Sequence, residues 1–130
     1  MILWAPPKAF DDASHLTKFS EELSRQTGNS FLSYSELYDF SLKEPGVFWL
    51  ALWKFCGIIA SRHPSKALEP AKEMMDCKWF PNASLNFAEN LLRHRDNRRA
   101  IIFWGEDRVK RTITYRELYD YTARLSTALR

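Results

Sequence analysis

A chain of 130 residues, 45% of them apolar and 27% charged, has the make-up of one ordinary globular domain or a piece of one, which excludes a disordered segment or a membrane protein by composition. A net charge of +3 is too mild to select nucleic acid as a partner. Two cysteines, Cys56 and Cys77, without a C-x-x-C motif, fit a reducing compartment rather than a disulfide framework.

The amino terminus, "MILWAPPKAFDD", lacks a basic segment followed by an apolar stretch, so no signal peptide is expected and the expected location is cytoplasmic. From residue 13 to about 27, Leu16, Phe19 and Leu23 recur at helical spacing and Gly28 follows as a stop. "SYSE" at 33–36 reads as a capping box that opens a helix through Leu37, Tyr38 and Leu42, and Pro45 either ends that helix or starts the next. The run "VFWLALWKFCGIIA", 47–60, is shorter than the roughly 20 residues a bilayer requires and reads as a buried helix. Residues 62–81, with Pro64, Pro70 and Pro81, read as an irregular connector.

Beyond it, Leu85, Ala88, Leu91 and Leu92 fall on one face of a helix expected over 84–94, and this stripe predicts a cost of about 2–4 kcal/mol for Leu85→Ala or Leu91→Ala. "AIIFW" at 100–104 predicts a strand buried on both faces, Gly105–Arg108 a turn, and "VKRTI" at 109–113 a second strand of a hairpin. "TYRE" at 114–117 is another capping box. It opens a helix with Tyr115, Leu118, Tyr121, Leu125 and Leu129 along one stripe, still in phase at the last residues without a cap, so the sequence reads as cut. Two strands and one helix make a poor layer alone, which points the same way.

Candidate chemistry is sparse. Gly28, Gly46, Gly57 and Gly105 are too widely spaced for any phosphate-cradling glycine motif. His15, His63 and His94 do not have metal-ligand spacing, and Cys56, inside an apolar run, is expected to be packed. The acid pairs Asp11–Asp12 and Glu21–Glu22 read as solvated helix positions. "RHRDNRR", 93–99, near Trp79, Phe80 and Phe87, superficially resembles an aromatic-plus-basic nucleic-acid surface. Asp96 interrupts it, and cations near a helix C-terminus are explained by the helix dipole.

The segments "KWFPNASLNFAENLL", "AIIFWGED" and "ITYRELYDYTARLSTALR" together resemble the adenylate-forming acyl-CoA synthetases, most closely the branch that activates acetoacetate. Trp4 with Pro6, "SYSELYDFS" and the Phe48–Trp49 pair resemble the helical amino-terminal region of that family. Two positions depart from its pattern: Asn82 stands where Gly is usual, tolerable in a left-handed backbone, and Phe40 where Trp is frequent. The resemblance implies an α+β chain: a mostly helical amino-terminal region at 1–77, a connector and docking helix at 78–98, and at 99–130 the hairpin and helix that begin the large domain of an adenylate-forming enzyme.

It further implies a parent acid–CoA ligase that converts acetoacetate with ATP to an acyl-adenylate, releasing pyrophosphate, and then transfers the acyl group to CoA. ATP, Mg and CoA belong to that parent. No catalytic, cofactor-binding or metal residue is expected among these 130, which are expected to be inactive alone. Their role is architectural, with Trp79, Phe80, Pro81, Leu85, Leu91 and Leu92 as structural anchors. Expected partners are the rest of the parent chain and, for the parent, a small-molecule acid; nucleic acid and membrane are not expected, whereas self-association is. The competing reading is a stand-alone helical interaction module without catalysis.

Overall fold

Short local signals start most of the helices of the computed structural model, which describes Ala5, residues 7–106 and residues 108–130. Trp4 and Pro6 of the resemblance lie outside the described residues. The architecture is α+β, with helices and two small antiparallel strand pairs, and the chain divides into two compact units, Met1–Leu85 and Asn86–Arg130.

In the first unit, α1 (Lys8–Asp12) follows Pro7, and α2 (His15–Thr27) begins where the Ser14 hydroxyl accepts the Thr17 N–H at 3.0 Å. It ends at Gly28, whose φ of +74° is one that side-chain-bearing residues avoid. The expected capping box opens α3 (Tyr34–Lys43): Glu36 N–H donates to Ser33 Oγ at 3.3 Å and Ser33 N–H to Glu36 Oε2 at 3.2 Å. Pro45 starts the next helix, α4 (Pro45–Phe55), at a position where a missing N–H costs nothing.

These helices bury Phe19 and Leu23 from α2, Leu37 from α3 and Ala51 from α4. Phe31, Phe40, Phe48, Leu52 and Phe55 close around them. Phe19 meets Phe48 edge-on at 5.4 Å and Phe55 at 5.3 Å, arrangements that add to the burial of the rings. The apolar run breaks sooner than its composition suggests. Cys56 is the exposed C-cap of α4 and Gly57 takes a φ of +58°, so Cys56 is not the packed residue expected of it.

The connector is more ordered than its prolines imply. Strands β1 (Leu68–Glu69) and β2 (Lys78–Trp79) pair antiparallel, with Leu68 opposite Trp79, and a single 3-10 turn, Met74–Asp76, lies between them. An isolated bridge joins Arg62 to Ser84.

In the second unit the helix expected over 84–94 is only α5 (Phe87–Leu91). Asn86 stops it from starting earlier, because its side chain accepts the Glu89 N–H at 3.2 Å and its own backbone is extended. The hairpin follows as β3 (Arg99–Trp104) and β4 (Lys110–Thr114), with Ile101 opposite Ile113 and Trp104 opposite Lys110. β3 has the apolar composition of a doubly buried strand, yet Ile101, Ile102, Phe103 and Trp104 are all exposed.

The second expected capping box opens α6 (Tyr115–Ala128), where Glu117 Oε2 accepts the Thr114 N–H at 2.8 Å and the Thr114 hydroxyl at 2.9 Å. Those bonds, the backbone one first, hold the Glu117 carboxyl below its ordinary value of 4.5. A carboxyl lowered by folding contributes stability above its unfolded pKa and loses it as the pH falls through the lower folded value. Fraying of the first turn of α6 is therefore expected only below pH 4.5. Thr114→Ala, which removes the cap, should cost about 1 kcal/mol at neutral pH and blunt that acid response. Helicity measured by circular dichroism from neutral to acid pH checks both; an unchanged acid response in the variant would contradict them.

Candidate functional site

Two tryptophans one helical turn apart, Trp49 and Trp53 on α4, receive the next two aromatics in space, Trp79 and Phe80. Trp49 meets Trp79 at 5.7 Å and Trp53 meets Phe80 at 4.8 Å. The (i, i+4) spacing puts both indoles on one face of α4, and the β1–β2 pairing delivers Trp79 and Phe80 to them. Phe80 N–H donates to Ala67 O at 2.7 Å, a tie between the connector's two arms beyond the strand ladder. Ala67 itself is buried.

Backbone geometry at this point is unusual. Asn82 has a φ of +65°, the left-handed conformation that its side chain tolerates in place of glycine. Phe80 has a φ of +45°, which the sequence does not announce and which a bulky aromatic adopts at a cost of order 1–3 kcal/mol. Pro81 between them is half-buried. Beneath Phe80, the Trp53 Nε1 atom is buried without a hydrogen-bond partner among the described residues.

The other expected anchors fall differently. Leu85, the last residue of the first unit, is 44% exposed and precedes α5, and Leu91 is 57% exposed at its end. Leu92, the C-cap of α5, is buried at 9% exposure and lines a groove shared with Tyr115, Leu118 and Thr122 of α6. Phe87, Leu91, Leu92, Ala100, Tyr115 and Leu118 line an apolar groove of about 360 Å³. Its lining offers the hydroxyls of Tyr115 and Thr122 and no carboxylate, histidine, lysine or cysteine beside them to act as a base.

Elsewhere the described residues hold no group of three or more His, Cys, Asp or Glu that could bind a metal, and no helix among them is long and apolar enough to cross a membrane. Cys77 is spoken for locally: its Sγ accepts the Ala71 N–H at 3.4 Å. The Glu69 carboxyl is lowered by its hydrogen bond from Lys66, and Asp96 by its bonds from the Arg98 side chain and backbone.

The basic segment packs on α6 rather than standing clear of it. The Arg95 guanidinium lies 4.0 Å over the Tyr119 ring, and His94 meets Tyr115 at 6.2 Å. Arg98 pairs with Asp96 at 2.8 Å. No salt-sensitive binding of DNA or RNA is therefore expected at micromolar protein in about 0.15 M salt. Fluorescence anisotropy with labelled single-stranded and duplex oligonucleotides is the check, and micromolar affinity falling steeply with salt would contradict it.

The helical region, the aromatic clasp and the hairpin that follows are similar to the amino-terminal region of acyl-CoA synthetases. Residues 34–91 match the family described as acetyl-coenzyme A synthetase N-terminus. Over 128 residues the chain is 40% identical to the acetoacetyl-coenzyme A synthetase of Rhizobium meliloti (strain 1021), covering 98% of this chain and 20% of that protein. It is 30% identical over 133 residues to the acetoacetyl-CoA synthetase of Rattus norvegicus, covering 99% and 19%. The solved structure of acetoacetyl-CoA synthetase from Streptomyces lividans matches 99% of this chain and 20% of its own, with a TM-score of 0.86 at 26% identity. Along nearly all of its length the chain is homologous to the amino-terminal region of acetoacetyl-CoA synthetases, and it spans about a fifth of their length.

Proposed function

We propose that these residues are the structural amino-terminal portion of an AMP-forming acid–CoA ligase acting on acetoacetate. The supporting observation is the 40% identity over 98% of the chain to a protein named for that activity. In this reading the whole enzyme joins acetoacetate to ATP as an acyl-adenylate, releases pyrophosphate and passes the acyl group to CoA, in the cytoplasm. The rest of the polypeptide is the partner of these residues.

ATP, Mg and CoA do not fit the residues described here. Gly28 and Gly57 spend their positive φ at helix ends, no acidic or histidine cluster is assembled for a metal among the described residues, and the groove between Phe87 and Leu118 has no cation for a phosphate. The chain's own contribution is positional. Trp79, Phe80 and Pro81 fasten the connector to α4, and Leu92 seats the start of the second unit, with Leu85 and Leu91 turned toward neighbours supplied by the longer polypeptide. The division intended is 1–77 as the helical region, 78–98 as connector and docking segment, and 99–130 as the opening of the large domain.

A chimera tests this. Residues 1–130 would replace the matching region of the Rhizobium meliloti relative, and acetoacetate-dependent pyrophosphate exchange would be measured. Exchange within about tenfold of the unmodified relative is expected, and background from the 130 residues alone. A folded chimera without exchange would count against the proposal. The closed core of the first unit, built from Phe19, Leu23, Leu37 and Ala51, favours a second reading, a non-catalytic interaction module, for which exchange by the chimera would be unexpected.

A further inference from the structure

We propose that Trp79 and Phe80 form a releasable clasp on α4, with a second arrangement in which residues 79–82 come away while the helical core stays folded. Two local penalties coincide in the closed clasp. Phe80 is held at a φ of +45°, a backbone that bulky side chains avoid and leave when freed. The Trp53 indole N–H, against whose ring Phe80 packs at 4.8 Å, is buried with no partner among the described residues. Opening would give that donor to water and let Phe80 return to negative φ, so one movement relieves both.

What opposes opening is small and local. The ring contacts are Trp49 with Trp79 at 5.7 Å and Trp53 with Phe80. The backbone ties are the Phe80 N–H to Ala67 O bond and a strand pairing two residues long. Trp79 is already half exposed. None of Phe19, Leu23, Leu37 or Ala51, the buried core, belongs to the clasp. Opening is therefore easier than unfolding the unit, in the manner of other local openings in which few buried contacts are lost. When closed, residues 79–82 are fixed to α4; when open, they form a loop still held at its far end by the Arg62–Ser84 bridge. The inference stands on this geometry and not on the ligase reading.

Native-state hydrogen exchange followed by NMR in the 130-residue chain tests it. The Trp53 indole N–H and the Phe80 amide should exchange together, at least about 30-fold faster than the Leu23 amide, and with little dependence on denaturant. Trp49→Ala, which removes the ring contact to Trp79 together with one to Phe48, should speed both by about tenfold and Leu23 by clearly less. Exchange of Trp53 and Phe80 at the rate and denaturant dependence of Leu23 would overturn the proposal. Clasp exchange unaffected by Trp49→Ala would overturn it as well.

Discussion

Leu23→Ala is expected to remove about 2–5 kcal/mol from the stability of the first unit, a large share of the roughly 5–15 kcal/mol that a whole domain has. Leu23 is 0% exposed and sits among Phe19, Leu37 and Ala51. Its deletion opens a cavity that three helices meeting there cannot collapse without moving Phe48 and Phe55, which flank Phe19. Leu91→Ala and Leu85→Ala should cost below about 1 kcal/mol, since more than two fifths of each side chain is already in water. That is lower than the cost of about 2–4 kcal/mol that the 84–94 stripe suggests for each. Denaturant melts give the test: a lowered midpoint with an unchanged slope for Leu23→Ala alone is the expected pattern. Equal losses for all three would mean that the second unit's leucines are as buried as those of the first.

Self-association of the 130-residue chain is the second large effect expected. Alternation along β3 puts Ile101 and Phe103 on the face where Arg111 of β4 reaches the Tyr121 hydroxyl of α6 at 3.3 Å. Ile102 and Trp104, opposite Thr112 and Lys110, lie on the other face, where Trp104 is 73% exposed and met by Lys110 Nζ at 4.8 Å. β4 carries Lys110 and Arg111, the charges that blunt a strand edge, whereas β3 has none between Ala100 and Trp104. Water penalises such a face by about 25 cal/mol per Å², and Leu125 and Leu129 near the end of α6 are exposed as well. Light scattering across a concentration series should show growth beyond the monomer, and Ile102→Lys with Trp104→Lys should suppress it. A strict monomer with well-protected amides in β3 would show that the strand needs no cover.

What the sequence discloses here is what is written locally. Ser33 with Glu36 and Thr114 with Glu117 place two helix starts to the residue, and Gly28 places a stop, because each cap is a bond between near neighbours. The same rule, applied to Asn86 and Glu89, would have shortened the 84–94 helix; the apolar stripe outweighed it. The β1–β2 pairing was illegible because two-residue strands carry no periodicity and are brought together by distant contacts with α4. Asn82 announced its left-handed backbone and Phe80 did not, since nothing in an aromatic side chain favours positive φ. Trp79, Phe80 and Leu92 stood out as large apolar groups flanking a proline and a helix, and the structure gives the first two ring contacts with α4 and buries the third. The exposure of Leu85 and Leu91 depends on what lies across from them, which a stripe cannot state.

The hairpin's register also changes by one residue, between Arg99 opposite Thr114 and Ile101 opposite Ile113, which leaves Ala100 as the extra member of β3. Counting from the turn, every pair from Ile101–Ile113 to Trp104–Lys110 is set before the chain reaches Ala100. Losing Ala100 would straighten the ladder without moving any of those side chains to the opposite face, whereas losing Ile102 or Phe103 would invert the residues that follow it. Length variation in this strand thus has one tolerant address, at its entrance, and a protected stretch beyond it.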